Sequence, residues 1–328
     1  MFGSKVKDVG VIGLGIIGSR VAERLRHANF NVFVWNRTSR PVPGFLASPH
    51  EIAEVSQMVQ IFVRDSEALL EVVRDMKPAL KKHHVVCVHS TVSVAAMKEA
   101  AAIVQEAGAG FLDAPFTGSK MAAQNGELVY YIGGDAKELE KVTKVLEASS
   151  KKILPFGANV GDATVLKIAT NLVSGAVVGA LAEALAITKA QGVEGSQLLE
   201  AFTNNANCSP LITMKLPSMM AASYEAHFSL KNMLKDARYA QVLARDAAVK
   251  TPVLDASTAV MERAERAGKG EMDYSVVFEN CSAVDEVASP PLPTEKPKKP
   301  AKAKAAKEAA RLTLKAQPME GAGTDAKP

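Results

Sequence analysis

"VGVIGLGIIGSR", Val9 to Arg20, holds Gly13, Gly15 and Gly18 in the order G-x-G-x-x-G. It ends a short apolar, β-branched run and opens a helical stretch reaching about His27. That setting makes the motif informative. Gly13 permits the tight turn, Gly15 lets a pyrophosphate approach the backbone, and Gly18 lets the helix lie close to the sheet. The loop, with Leu14, Ile16 and Ile17 between the glycines, would offer its N–H groups to phosphates at a helix N-terminus. The stretch therefore predicts a dinucleotide site.

The next strand, "NVFVWN", leads into "WNRTSR". An NAD site usually places an acidic residue here for the ribose 2′-hydroxyl. Asn36, Arg37, Thr38 and Arg40 stand there instead, with no carboxylate among them. Arg37 can make charge-assisted bonds to a 2′-phosphate, with Asn36 and Thr38 as further polar contacts. The cofactor expected is NADP(H).

Further strand-like runs, "MVQIFVRD", "HVVCVHST", "GAGFLDAP" and "ELVYYIGG", alternate with helical ones up to about residue 155. This alternation predicts a mainly parallel, doubly wound sheet with helices on both faces, a Rossmann domain over residues 1–158. After Gly157 the strand signals stop. Asp162 to Gln191 reads as one long helix ending at Gly192, followed by helical runs near 196–204, 230–247 and 252–267. An all-α domain over 159–287, built on that long helix, is expected. The apolar run Ile168–Ala182 is shorter than the roughly 20 residues of a membrane span. Flanked by Lys167 and Glu183, it reads as core.

The net charge of +4 is unevenly placed. Residues 288–328 hold nine Lys and Arg against four Asp and Glu, so the body, with 30 against 31, is near neutral. The Pro-Lys-Ala tail predicts disorder and, at most, nonspecific contact with nucleic acid. Cys87, Cys208 and Cys281 have no paired spacing, which fits a reducing, cytoplasmic setting. A strand within the first ten residues leaves no room for a signal peptide. The histidines form no metal set. His27, His83 and His84 read as exposed, and His89 beside Ser90–Thr91 is the one of interest.

In "GDATVLKIATN", Lys167 and Asn171 lie four apart and share a helical face. A lysine inside an apolar helix is unusual; desolvated in a cleft, its pKa would fall and it could donate a proton near neutral pH. A structural ion pair is the alternative. "DAPFTGSK", Asp113 to Lys120, is turn-like and able to hold an anion, and "FSLKNMLKD" ends in Lys235–Asp236. Read alone, each is more often a loop or a salt-bridged surface than a site.

Together "GLGIIG", "DAPFTGS", "GDATVLKIATN" and "LKNMLKD", in this order, resemble the β-hydroxyacid dehydrogenase family over about residues 6 to 285. That family includes 3-hydroxyisobutyrate and tartronate-semialdehyde enzymes and the glyoxylate/succinic-semialdehyde reductases. The resemblance implies Lys167 as catalytic residue and Asn171 as substrate-orienting residue. Thr117, Gly118 and Ser119 would bind the substrate anion. Val63, Arg64, Thr91, Lys235 and Asp236 would join the glycine loop on the cofactor side. It also implies a homodimer or homotetramer through the helical domain. "NRT" and "GSK" look most like the NADPH-dependent glyoxylate/succinic-semialdehyde reductase branch. Phe116, Met121-Ala122-Ala123, Val88 and Arg64 depart from the usual pattern.

The reaction expected is reduction of a small, carboxylate-bearing aldehyde or keto acid, with Lys167 as general acid. A 3-hydroxyisobutyrate-type or tartronate-semialdehyde dehydrogenase is the alternative. Imine reductases of this architecture and its noncatalytic, nucleic-acid-associated members typically lack the lysine, which is present here.

Overall fold

A computed structural model describes residues 6–281, all within one compact unit. The basic tail, with its expected disorder, lies outside the described residues.

The first half is a twisted sheet. Its strands are β1 (Asp8–Ile12), β2 (Asn31–Trp35), β3 (Met58–Ile61), β4 (Val85–Val88), β5 (Gly110–Asp113), β6 (Phe116–Thr117), β7 (Leu128–Gly134) and β8 (Ser150–Pro155). They are joined by α1 (Gly18–His27), α2 (Pro49–Val55), α3 (Ser66–Met76), α4 (Val94–Glu106), α5 (Lys120–Asn125) and α6 (Ala136–Glu147). The order is β2-β1-β3-β4-β5-β7-β6, with β8 beside β7. The first five strands are parallel; β7 runs antiparallel to β5 and parallel to β8. β3 and β4 are buried at every position, as strands covered on both faces must be. Val9, Val11, Met58 and Leu112 face one apolar layer with α1 and α6, while Ile12, Val59 and Ile61 face another with α2, α3 and α4.

The order 2-1-3-4-5 places a switch point beside β1, where ligands of open α/β sheets bind. Side-chain caps hold the helix starts at that edge: Asp65 accepts Ala68 N–H for α3, and Ser93 accepts Ala96 N–H for α4.

The second half is helical: α7 (Asp162–Ala190), α8 (Gly195–Thr203), α9 (Pro210–Met220), α10 (Leu230–Asp246), α11 (Pro252–Arg266) and a closing 3-10 stretch, Tyr274–Asn280. α7 packs against α9, α10, α11 and the 3-10 stretch, and Ile168, Val178, Leu181 and Leu185 line the shared core. Its N-cap, Gly161, sits at φ +105° and offers no side chain. Asp113, at the end of β5, supplies the cap instead. It accepts the N–H groups of Gly161 and Thr164 at 2.9 and 3.0 Å and the Thr164 hydroxyl at 2.7 Å. The sheet thereby fixes the start of the long helix.

One histidine departs from expectation. His84 is buried, because its Nδ1 accepts the Lys81 N–H at 2.6 Å and closes the turn into β4. Burial, the largest influence, and neighbouring His83 hold its pKa below the usual imidazole range.

A second buried charge closes the helical layer. Lys215 Nζ lies 2.7 and 2.8 Å from the two oxygens of Asp273, with the side chains 4% and 3% exposed. The carboxylate also accepts from His227 N–H, Phe228 N–H and Ser275. Burial is the largest influence on Asp273 and pushes its pKa up, but Lys215 and Ser275 together outweigh it and hold the group below the ordinary range. Its contribution to stability is therefore complete above the unfolded value of about 3.9 and is lost as pH falls through the lower folded value. Lys215→Met leaves a buried carboxylate unpaired and should cost about 3–5 kcal/mol in urea unfolding at neutral pH. In that variant the share of acid-side loss due to Asp273 should shrink, because without Lys215 burial moves its folded pKa up toward or past the unfolded value.

Candidate functional site

The turn from β1 into α1 is fixed by close contacts. At Gly13, φ +94°, a Cβ would lie 2.0 Å from the Phe62 carbonyl oxygen; at Gly18 it would lie 2.0 Å from that of Gly13. Gly15 differs, since nothing lies within 4 Å of its missing Cβ. The N–H groups of Gly15, Ile16 and Ile17 donate to no protein group among the described residues. A cradle of free donors beside open space fits a pyrophosphate.

Asn36 braces this cradle. Its Oδ1 accepts the Leu14 N–H at 3.0 Å, and its Nδ2 donates to the Thr38 carbonyl at 2.8 Å. The amide expected at a 2′-phosphate thus ties the second strand's end to the glycine loop. Arg37 is exposed and donates to Glu71 at 2.6 Å, while Arg64 donates to Asp65 at 2.6 Å. Val63 N–H donates to Ser90 Oγ at 2.6 Å, joining the ends of β3 and β4.

A second group crosses from the helices to the sheet. On α7, Lys167 Nζ donates to Asn171 Oδ1 at 2.9 Å. Asn171 Nδ2 donates to Asp236 Oδ2 at 2.7 Å, and Asp236 Oδ1 accepts from Lys235 Nζ at 2.6 Å. Lys235 also donates to the Thr91 carbonyl at 2.5 Å. An ammonium only donates and a carboxylate only accepts, so this is the one amide orientation that serves both neighbours of Asn171. Burial, the largest influence, holds the Lys167 pKa down to about 8; Asp236 opposes the shift and Lys235 adds to it. Asp236, expected on the cofactor side, is 1% exposed with both oxygens engaged. It holds two neighbours in place.

The loop after β5 is more ordered than its composition suggests. Thr117 pairs with Val129 in the sheet, and Ser119 Oγ accepts Ala122 N–H to cap α5. Gly118, φ +138°, has Leu128 Cδ2 2.8 Å from the position of a Cβ. No hydrogen bond links this loop to Lys167 among the described residues.

Sequence reasoning missed Asp113 as the cap of α7, and Ser66, Ser90 and Tyr239 at the carboxyl edge of the sheet. His89 is buried and stacks on Phe62 at 4.6 Å, with Nδ1 2.7 Å from the Ala114 carbonyl. Burial pushes its pKa down to about 4, so it stays neutral. Phe62 is the residue against which Gly13 and Gly18 are packed. The position of His89, one residue before Ser90–Thr91, was the signal available in the sequence.

Two family models account for the described chain. Residues 8–157 match the NAD binding domain of 6-phosphogluconate dehydrogenase, and residues 161–280 match the NAD-binding domain of NADP-dependent 3-hydroxyisobutyrate dehydrogenase. Glyoxylate/succinic semialdehyde reductase 2, chloroplastic, of Arabidopsis thaliana is 30% identical over 288 residues, covering 84% of this chain and 80% of that protein. The chain belongs to the β-hydroxyacid dehydrogenase family. Glyoxylate/succinic semialdehyde reductase 1 of the same plant is 29% identical, covering 83% of this chain and 97% of that one. A 3-hydroxyisobutyrate dehydrogenase of Salmonella typhimurium shares the fold with a TM-score of 0.75 at 24% identity, over 83% of this chain and 99% of that one. The protein is accordingly an NAD(P)-binding oxidoreductase of CH–OH groups.

The two loop glycines separate folding from binding. Gly13→Ala should lower the thermal midpoint, because a backbone carbonyl occupies the space. Gly15→Ala should leave the midpoint unchanged and raise the dinucleotide dissociation constant about tenfold or more, since its methyl enters the approach path. Thermal unfolding and fluorescence titration with NADPH check both.

Proposed function

We propose that the protein is an NADPH-dependent reductase of short, carboxylate-bearing aldehydes or keto acids, with glyoxylate and succinic semialdehyde as the first substrates to try. The observation that carries this reading is the half-buried Lys167, tied through Asn171 and Asp236 to Lys235 and the sheet edge. The named activity of both plant relatives supports the substrate class. The lack of a carboxylate at residues 36–40, with Arg37 beside the glycine loop, supports NADPH. Glycine-loop residues Gly13 to Gly18, with Arg37, Thr38, Val63 and Arg64, would hold it.

When bound, NADPH supplies the hydride that reduces the carbonyl carbon. Lys167 Nζ gives a proton to the carbonyl oxygen and is reprotonated from solvent. In the reverse direction the neutral amine takes the proton from the hydroxyl. Asn171 fixes the direction in which Nζ can donate, because its Oδ1 holds one of the three ammonium hydrogens. Two lysines against one carboxylate leave the cluster positive when Lys167 is protonated, which favours an anionic substrate. Thr117 and Ser119, with the Gly118 backbone, would receive the carboxylate.

The exposed apolar side chains of α7, including Val165, Leu166, Val173 and Ile187, support a homodimer through that helix. Free cysteines throughout the described residues fit a cytoplasmic location.

An NADPH-oxidation screen over short aldehydes and 2- and 3-oxo acids, with NADH in parallel, tests the reading; no turnover with any carbonyl overturns it. Lys167→Met should lower kcat at least about a thousandfold while changing NADPH affinity less than about threefold. With a folded pKa of about 8, reduction needs the ammonium and should hold level below that pH, then fall above it. Oxidation of the hydroxy acid needs the neutral amine and should rise up to about pH 8 before levelling.

A further inference from the structure

Lys235 and Tyr239 lie four residues apart on α10 and project from one face. The Tyr239 ring lies 4.8 Å from Lys235 Nζ, and its hydroxyl lies 3.1 Å from Ser66 Oγ. Ser66 opens α3. Its Oγ also accepts the Ser93 N–H at 3.1 Å and lies 3.3 Å from Ser93 Oγ, the cap of α4. One phenol from the helical layer thus meets the starts of the two helices that follow β3 and β4. This is the carboxyl edge of the sheet, where Thr91 receives Lys235. The lysine stem is flexible, so its ammonium keeps one position only where neighbours confine it. Asp236 holds the ammonium from its own helix, Thr91 from the sheet, and the Tyr239 ring from the side.

We propose that Tyr239 is a positioning residue for the reduction. Its hydroxyl, bound to Ser66, sets the distance of α10 from the sheet, and its ring keeps Lys235 on the Thr91 carbonyl. The register of Asp236, Asn171 and Lys167 follows from that placement. The inference rests on the reading of Lys167 as proton donor. It adds a residue that touches neither Lys167 nor Asn171 and acts through Lys235.

The test uses the full chain with NADPH and whichever carbonyl acid the screen finds fastest. Tyr239→Phe keeps the ring and removes the hydroxyl; Ser66→Ala removes its partner. Each should lower kcat about three- to tenfold, the range one hydrogen bond commands. KM for the acid and the NADPH dissociation constant should stay within about twofold. The double variant should be no slower than Ser66→Ala alone, because that change already removes the contact with Tyr239 along with the acceptor of the Ser93 N–H. Tyr239→Leu, which also removes the ring, should be slower still and should raise KM. A role confined to stability would leave kcat unchanged when measured well below each variant's Tm. Hydrogen–deuterium exchange over residues 230–240 gives a second measurement that needs no turnover, and it should quicken in both single variants. Wild-type kcat in Tyr239→Phe, additive losses in the double variant, or unaltered exchange would overturn the proposal. Absence of turnover in the wild-type protein defeats the functional reading instead, and exchange alone then decides whether Tyr239 holds α10.

Discussion

Asp236 binds the helical layer to its own chemistry. Its two oxygens serve Asn171 on α7 and Lys235 on α10, two residues that chain distance does not bring together. Because a carboxylate offers only acceptors, it forces the Asn171 amide to present its nitrogen inward and its oxygen to Lys167. The same charge opposes the desolvation of Lys167, so the half-buried lysine can still be protonated near neutral pH. Without that carboxylate, two lysines would face each other across an apolar interface. With it, Lys167 has a donor direction, and Lys235 has a hold independent of the sheet.

The dinucleotide loop depends on a different constraint, the space available at three glycines. Gly13 and Gly18 are required by backbone contacts inside the protein, whereas Gly15 is required by nothing in the protein. That asymmetry separates the residues that shape the turn from the one that leaves room for a ligand. Asn36 joins the two, since its amide holds Leu14 while its neighbour Arg37 stays exposed on Glu71. The guanidinium is therefore on a surface pair of small energetic value, which a dianion can displace. Behind the loop, the stack of Phe62 on neutral His89 fills the space against which both structural glycines pack.

Much of this was legible in the sequence, for physical reasons that differ by element. Strands buried on both faces leave apolar, β-branched runs, and so the β1 to β5 pattern could be read directly. Lys167 stood out because an isolated charge in an apolar helix has few explanations. Where local composition and tertiary demand disagreed, the reading stopped. "TGSK" has the composition of a turn, but Ser119 caps a short helix within it. α9 carries Pro217 and no clean apolar stripe. His84 sits beside charged residues in sequence yet closes a buried turn. Asn171 lies 65 residues from Asp236, and the groups that Asp113 caps lie 48 and 51 residues from it, and spacing carries no sign of these pairings.

The character of α7 follows from what it has to carry. By length and composition it could cross a membrane, yet in the fold Ile168, Val178, Leu181 and Leu185 face the core of the helical layer. Gly175 allows Met233 and Met261 to approach within 3.6 and 3.7 Å of a Cβ placed there, so α10 and α11 close down on the helix. Burial among these helices does most to bring the Lys167 pKa down to about 8, and the neighbouring charge of Lys235 adds to it. Asp113 completes the arrangement by fixing the helix start to the sheet, five residues before the lysine within the same two turns. The apolar composition that makes the helix resemble a membrane span thus contributes, with Asp236 and Lys235, to the setting of Lys167.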